Sequence, residues 1–197
     1  MSGILITLLV LAVLLVLWGV GIYNRLVTLR NQVKNAWSQI DVQLQRRYDL
    51  IPNLVEAVKG YMTYEKSTLE AVISARNQAS AARQDIKKEG LPEEGSIKQL
   101  ATAETALRAG TASIFALAEN YPQLRASENM QQLQEELSST ENKVAFARQA
   151  YNDQVMMYNT AQQEFPAVVI ASMLGHHLAD TFDVQDAEAK KAVKVSF

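Results

Sequence analysis

The 197-residue chain carries 19 basic against 21 acidic side chains, so it lacks the surplus of positive groups with which general nucleic-acid binders displace counterions. It has no cysteine, which excludes disulfides, iron–sulfur clusters, thiolate zinc sites and the acylated cysteine of a bacterial lipoprotein. Four prolines and eight glycines, beside plentiful Ala, Gln, Glu and Leu, favour long helices, and the length suits one hydrophobic core better than two.

Ile4 to Tyr23 contains no charged group, and Ile4 through Val20 is almost unbroken Leu, Val, Ile and Ala. About 20 helical residues cross a hydrocarbon layer of about 30 Å, so this length suffices for a transmembrane helix. Trp18 and Tyr23 fall where amphipathic rings settle at the headgroups. The rival is a cleaved signal peptide. Against it, the basic leading segment and small-residue cleavage site are missing, and helical periodicity continues past the apolar run. Arg25, Arg30 and Lys34 follow the span before the first acid, Asp41. The positive-inside rule then puts the N-terminus outside and the larger part in the cytoplasm, with the opposite orientation as the alternative.

Beyond the span, Tyr23, Leu26, Val27, Val33, Trp37, Ile40, Leu44 and Tyr48 recur at helical spacing, while Arg25, Arg30, Lys34, Gln39, Asp41, Gln43 and Arg46 take the opposite face. Asp49-Leu50-Ile51-Pro52 either bends this helix or breaks it, and Asp49 as N-cap would make a corner. A second helix shows Leu54, Val55, Val58, Met62, Leu69, Val72, Ile73, Ala75 and Ala79 and fades near Ala82. The charged run from Arg83 to Ser96, with Gly90, Pro92 and Gly95, predicts an exposed loop. A third helix follows over Ile97 to Glu119 and stops at Tyr121-Pro122. The fourth runs from Gln123 to Gln163, with Ser127 inside its opening, and Phe165-Pro166 kinks or ends it.

An up-down-up-down arrangement brings the end of the fourth helix back toward the span. The apolar run 167–174 then lies near lipid, where Val168, Val169, Ile170, Met173 and Leu174 are candidate membrane or partner contacts. Closing the end of the same core is an equal alternative. The tail beyond Asp183 is of mixed charge and ends in a short alternating arm.

Chemistry-bearing patterns are scarce. His176 and His177 are adjacent, so on a helix they point about 100 degrees apart and poorly suit one metal. Phosphate-binding glycine loops, the nucleophile turn and the zinc-protease helix motif are all missing. More unusual are charges at or beside core positions: Glu65 and Arg76 on the second helix, Glu141 and Arg148 on the fourth. Buried, they would need to pair in a cross-helix network that sets register; otherwise they form a solvated seam.

The chain resembles the LemA family in Tyr23-Asn24, in Ala36-Trp37-Ser38-Gln39-Ile40-Asp41 through Arg46-Arg47-Tyr48-Asp49-Leu50-Ile51-Pro52-Asn53-Leu54, and in Lys59-Gly60-Tyr61. The likeness resumes at Tyr121-Pro122, Glu128-Asn129, Thr140-Glu141-Asn142, Ala147-Arg148, Tyr151-Asn152, Tyr158-Asn159, Phe165-Pro166 and Val195-Ser196-Phe197. It implies a bacterial single-span membrane protein with a helical-bundle body, no established catalytic residue and, commonly, the N-terminus outside. Gly175-His176-His177 departs from the pattern, since relatives commonly place an aromatic after the glycine.

The expectation is therefore an all-α protein: a transmembrane anchor over 1–23, an antiparallel four-helix bundle over 24–165, and an apolar helix or cap with a tail over 166–197. It is expected to need no cofactor and no metal. Its expected partners are the lipid bilayer, further copies of itself and other proteins, with no nucleic acid among them. The expected role is a non-enzymatic membrane-tethered scaffold for self-association or protein binding. Membrane shaping or sensing is the alternative, and an enzyme of unknown class stands third.

Overall fold

The computed structural model describes residues 2–183 other than Thr63, Gly90, Leu91 and Glu93. The C-terminal tail and its Val195-Ser196-Phe197 ending lie outside the described residues. In chain order the helices are α1 Ser2–Lys59, α2 Lys66–Glu89, α3 Glu94–Ala118, α4 Pro122–Arg125, α5 Glu128–Gln163 and α6 Ala167–Met173. The protein is thus all-α, with an N-terminal apolar helix long enough to span a membrane and a packed helical core. Periodicity predicts four bundle helices, whereas the described residues hold six in all.

α1 has 58 residues, about 87 Å at 1.5 Å per residue. Its first part, Ile4 to Val20, turns every large apolar side chain outward. From Leu26 onward the same helix buries one stripe, including Val33, Ile40, Leu44, Tyr48, Ile51 and Leu54. One element thus serves both as span and as a central strut of the core.

The corner expected at Asp49–Pro52 is absent: Pro52 lies inside α1, and the chain turns after Lys59. Proline cannot donate to the carbonyl of Tyr48, one turn earlier, and costs about 3 kcal/mol in a helix interior. Two features offset this. Leu50, Ile51, Leu54, Val55 and Val58 are all buried by continuing the helix, each contributing about 1.5–3 kcal/mol. The orphaned Tyr48 carbonyl also accepts a hydrogen bond of 3.2 Å from Arg76 Nε on α2. Arg76→Met is therefore expected to cost about 1–3 kcal/mol, the penalty of a buried unsatisfied acceptor, and much less in a Pro52→Ala background that restores the backbone donor. Thermal unfolding of the four proteins of this double-mutant cycle measures the coupling.

The turn is closed by the Tyr61 and Met62 amides donating to the Val58 carbonyl at 3.0 and 2.9 Å, with Met62 buried beneath it. α2 then extends past its expected end, correcting the exposed loop predicted over 83–96. Arg83 donates to the Asp41 carboxylate at 2.9 Å and to Gln45 at 2.6 Å, and Ile86 is buried. These contacts with α1 hold another turn in place. α3 passes α2 closely at Gly110, where a Cβ would lie 2.9 Å from Val72 Cγ2. Only glycine fits that approach without a shift.

The long stripe read as one fourth helix is divided. Pro122 opens the single turn of α4, and Ser127, in extended conformation, is the N-cap of α5. The redirection lets Leu124 and Met130 both reach the core.

α5 runs antiparallel to α1. As numbering climbs on α1 it falls on α5: Leu26 clusters with Ala161, the Trp37 and Tyr151 rings meet at 5.5 Å, and Arg47 reaches Glu141 at 3.5 Å. α2 likewise returns along α1, pairing Arg76 with Tyr48 and Arg83 with Asp41. α6 packs against both α1 and α5.

Candidate functional site

Two places in this frame hold more than ordinary packing. The first is where α1 leaves its apolar part. Pro166 occupies the N-cap position of α6, and the short helix settles beside residues 16–23 of α1. Val16, Gly19, Val20, Ile170, Met173 and Leu174 line a slot of about 440 Å³ between the two helices. Val168, Val169, Met173 and Leu174 remain exposed, Met173 at 79%, while Ala171 is the buried contact. Ile170 is half-buried and its Cδ1 approaches Gly19.

After α6 the chain reverses at Gly175, whose φ of +68° is in the left-handed region that favours glycine. Residues 176–183 then run along α5 as a strap without helix. Asn159 accepts from the Ala179 amide at 2.9 Å and donates to the Ala179 carbonyl at 2.8 Å. Two turns earlier on the same face, Asn152 accepts from the Phe182 amide at 2.8 Å and donates weakly to its carbonyl at 3.4 Å. The Tyr151 hydroxyl donates to the Asp180 carbonyl at 2.9 Å. The Tyr158 hydroxyl and His176 Nδ1 lie 2.9 Å apart. Burial, with the charges of Arg30 and His177, holds His176 below the usual imidazole range. Phe182 is fully buried, its ring 6.0 Å from that of Trp37.

The second place is a buried polar cluster in the middle of the core. Arg47 on α1 donates to Glu104 on α3 at 2.9 Å, with both side chains more than nine-tenths buried. The Tyr48 hydroxyl donates to the other Glu104 oxygen. Glu141 on α5 completes the cluster, 3.5 Å from Arg47 and 3.3 Å from Arg108. Burial pushes the Glu104 carboxyl above the ordinary range, although Arg47 and Tyr48 pull it down. Burial and the neighbouring carboxylate push the Tyr48 phenol up.

The sign of the consequence follows from linkage. Between the ordinary carboxylate value near 4.5 and the higher pH at which folded Glu104 ionises, the folded state keeps a proton that the unfolded chain has released. Stability falls with rising pH through that window. Thermal unfolding across pH should show the wild type losing stability relative to Glu104→Gln as pH rises from 4.5. A difference that grows in the opposite direction would contradict the assignment.

Of the four charges singled out from the sequence, the structure brings Glu141 into this cluster. Arg148 lines the same cleft of about 200 Å³, beside Arg47, Glu104 and Phe182, without being one of the pairs above. Arg76 instead caps the Tyr48 carbonyl, and Glu65 lies half-buried in the turn before α2, where its carbonyl accepts from the Thr68 and Leu69 amides. Arg47 and Glu104 were not singled out. The signal was present: each is a charge at a stripe position, Arg47 between Leu44 and Ile51 and Glu104 between Leu100 and Leu107. The strap was signalled by the Tyr-Asn pair repeated seven residues apart, two helical turns on one face. Among the described residues no group of three His, Asp or Glu side chains is arranged to hold a metal ion.

Comparison with known proteins gives the chain several relatives. The chain is 24% identical over 179 residues to "Magnetosome protein MamQ" of Magnetospirillum gryphiswaldense and 25% identical to "Magnetosome protein MamQ 2" of Paramagnetospirillum magneticum. Each match covers 84% of this chain and 66% of the relative, so the chain spans just under two thirds of those proteins. It is also 25% identical to "Protein LemA" of Metamycoplasma hominis, over 86% of this chain and 72% of that one. The pattern that defines the LemA family matches residues 36–197, from the buried stripe of α1 through the strap and beyond, and the chain belongs to that family.

Proposed function

We propose that the protein is a non-enzymatic, membrane-tethered scaffold whose helical core presents a surface for self-association or for other proteins. The observation that carries this reading is the unbroken α1, which passes from exposed apolar span to buried core strut without a hinge. A binding surface built on α1 and its partner α5 is held at a fixed height above the lipid. The core helices act as a four-helix bundle of α1, α2, α3 and the α4–α5 segment, anchored through residues 2–23 and capped by 166–183. The positive charges after the span support a cytoplasmic body tethered to a bacterial inner membrane, which protease access in intact spheroplasts tests.

A second reading has its own observation. α6 sits on one side of the span with Val168, Val169, Met173 and Leu174 exposed. An apolar helix entering one leaflet beside a span adds area to that leaflet alone, as a membrane-shaping or membrane-sensing element would.

In-cell crosslinking from residues 165–178, followed by mass spectrometry, separates the two. Crosslinks to second copies or to a recurrent set of proteins are the scaffold outcome. Crosslinks to lipid alone, with a monomer in nanodiscs, would overturn the self-association version and favour the second reading.

A further inference from the structure

The slot between α1 and α6 changes polarity along a single line of α1. Val16, Gly19, Val20 and Tyr23, at i, i+3, i+4 and i+7, share one face of α1 and line the slot against α6. Gly19 makes the room: a Cβ there would meet only Ile170 Cδ1, at 3.9 Å. One further heptad on, Arg30 is exposed on the same face of α1 as the exposed Tyr23, not on the opposite face that the periodicity predicts, and its charge bears on both His176 and Tyr158. His176 meets the Tyr23 ring edge-on at 6.4 Å. The slot is therefore apolar from Val16 to Val20 and bounded by the Tyr23 ring, with the exposed Arg30 one heptad beyond it on the same face of α1. Eleven residues separate Gly19 from Arg30, about 16 Å along the helix axis, enough to run from hydrocarbon to headgroup level.

We propose that this slot holds one acyl chain of an anionic phospholipid from the surrounding leaflet, with the lipid phosphate set against Arg30. The walls Val16 to Val20 belong to the apolar span, so the slot opens into hydrocarbon and its occupant is drawn from there. Size agrees. A volume of about 440 Å³ takes about 15 groups the size of a liquid water molecule, at about 30 Å³ each, which is the bulk of one acyl chain. Two turns of a second copy's helix, 10–12 Å across, need roughly twice as much. Arg30 gives the site its charge preference, because a basic side chain at the headgroup level attracts anionic lipid.

The test is native mass spectrometry of the full chain released from nanodiscs holding equal phosphatidylglycerol and phosphatidylcholine. One phosphatidylglycerol retained per chain, preferred over phosphatidylcholine by roughly fivefold, the gain of one basic group near an anionic surface, is the expected result. Gly19→Leu fills the slot and should lose the retained lipid; Arg30→Gln should keep a lipid and lose the preference. Circular dichroism checks that each variant retains its helix content, and Met173→Trp, which fills the slot from the α6 side, replaces Gly19→Leu should that variant fail to fold. No retained lipid in the wild type, wild-type retention in a folded slot-filled variant, an unchanged preference in Arg30→Gln, or a dimer that excludes lipid would overturn the proposal. It rests on residues 3–20 being the span and is independent of the scaffold role. Copy number is read from the same spectrum, so the two ideas fail separately.

Discussion

Arg47→Met should lower the stability of the helical core by about 3–5 kcal/mol, the cost of leaving a buried charge without its partner. For a domain of this size that corresponds to a fall of about 10 °C in the thermal midpoint. The size follows from the geometry: the Glu104 carboxylate is buried with Arg47 and Tyr48 as its two donors, and losing the guanidinium leaves it with one. The Glu141 carboxylate is half-exposed and also held by Arg108, so it loses less. Removing both charges together should be far milder. Arg47→Met with Glu104→Leu abolishes both desolvation penalties and leaves only the Tyr48 hydroxyl without an acceptor, about 1–3 kcal/mol, which Tyr48→Phe in turn removes. The triple variant is therefore expected to approach wild-type stability. What it should lose is a fixed alignment of α1, α3 and α5, since one charged pair in an apolar seam specifies register more than it stabilises. A single Arg47→Met change of under about 1 kcal/mol would show that the pair is solvated and would remove this role.

Phe182→Ala is the second large effect, of a different kind. Truncating a fully buried phenylalanine costs about 3–5 kcal/mol, and here the loss falls on the non-helical strap over 176–183. The strap should open locally and the global transition should hardly move. Amide exchange across 176–183 is expected to rise by orders of magnitude, while α5 amides stay protected. Phe182 also roofs the cleft over Arg47 and Glu104, so water should reach that pair. Asn159→Ala, which removes both bonds to Ala179, should release the first half of the strap while Phe182 keeps the second half seated. Unchanged exchange in Phe182→Ala would mean that the strap is held by the asparagines alone.

These two sites also show where the sequence is readable and where it is not. The apolar opening and the stripe of α1 declare themselves because both are periodic or compositional features of a single element. Most of the stripe residues chosen on that basis, including Leu26, Val33, Ile40, Leu44 and Tyr48, are buried. Pro52 misleads, because a local rule against proline in a helix interior competes with a tertiary fact, the Arg76 side chain that satisfies the Tyr48 carbonyl. No one-dimensional pattern contains that bond. The same limit applies to the polar cluster. Spacing marks Arg47 and Glu104 as charges on buried faces, but it cannot say that those faces meet, so neither stands out from Glu65 or Arg148. The strap is harder still. Residues 176–183 have no helical period, and what holds them is backbone recognition by Asn152 and Asn159, which leaves almost no trace in the strap's own side chains.

The continuity of α1 from span to core can be measured directly, and the absence of cysteine allows two spin labels to be introduced without background. Labels at the exposed positions Thr7, within the span, and Gln39, within the core part of α1, in protein held in nanodiscs, span 32 residues, or about 48 Å of unbroken helix. Pulsed dipolar spectroscopy should return a single narrow distribution centred near that distance, little changed by lipid thickness. A broad distribution, or a mean shorter than about 40 Å, would reveal a hinge between membrane and core and contradict the rigid tether.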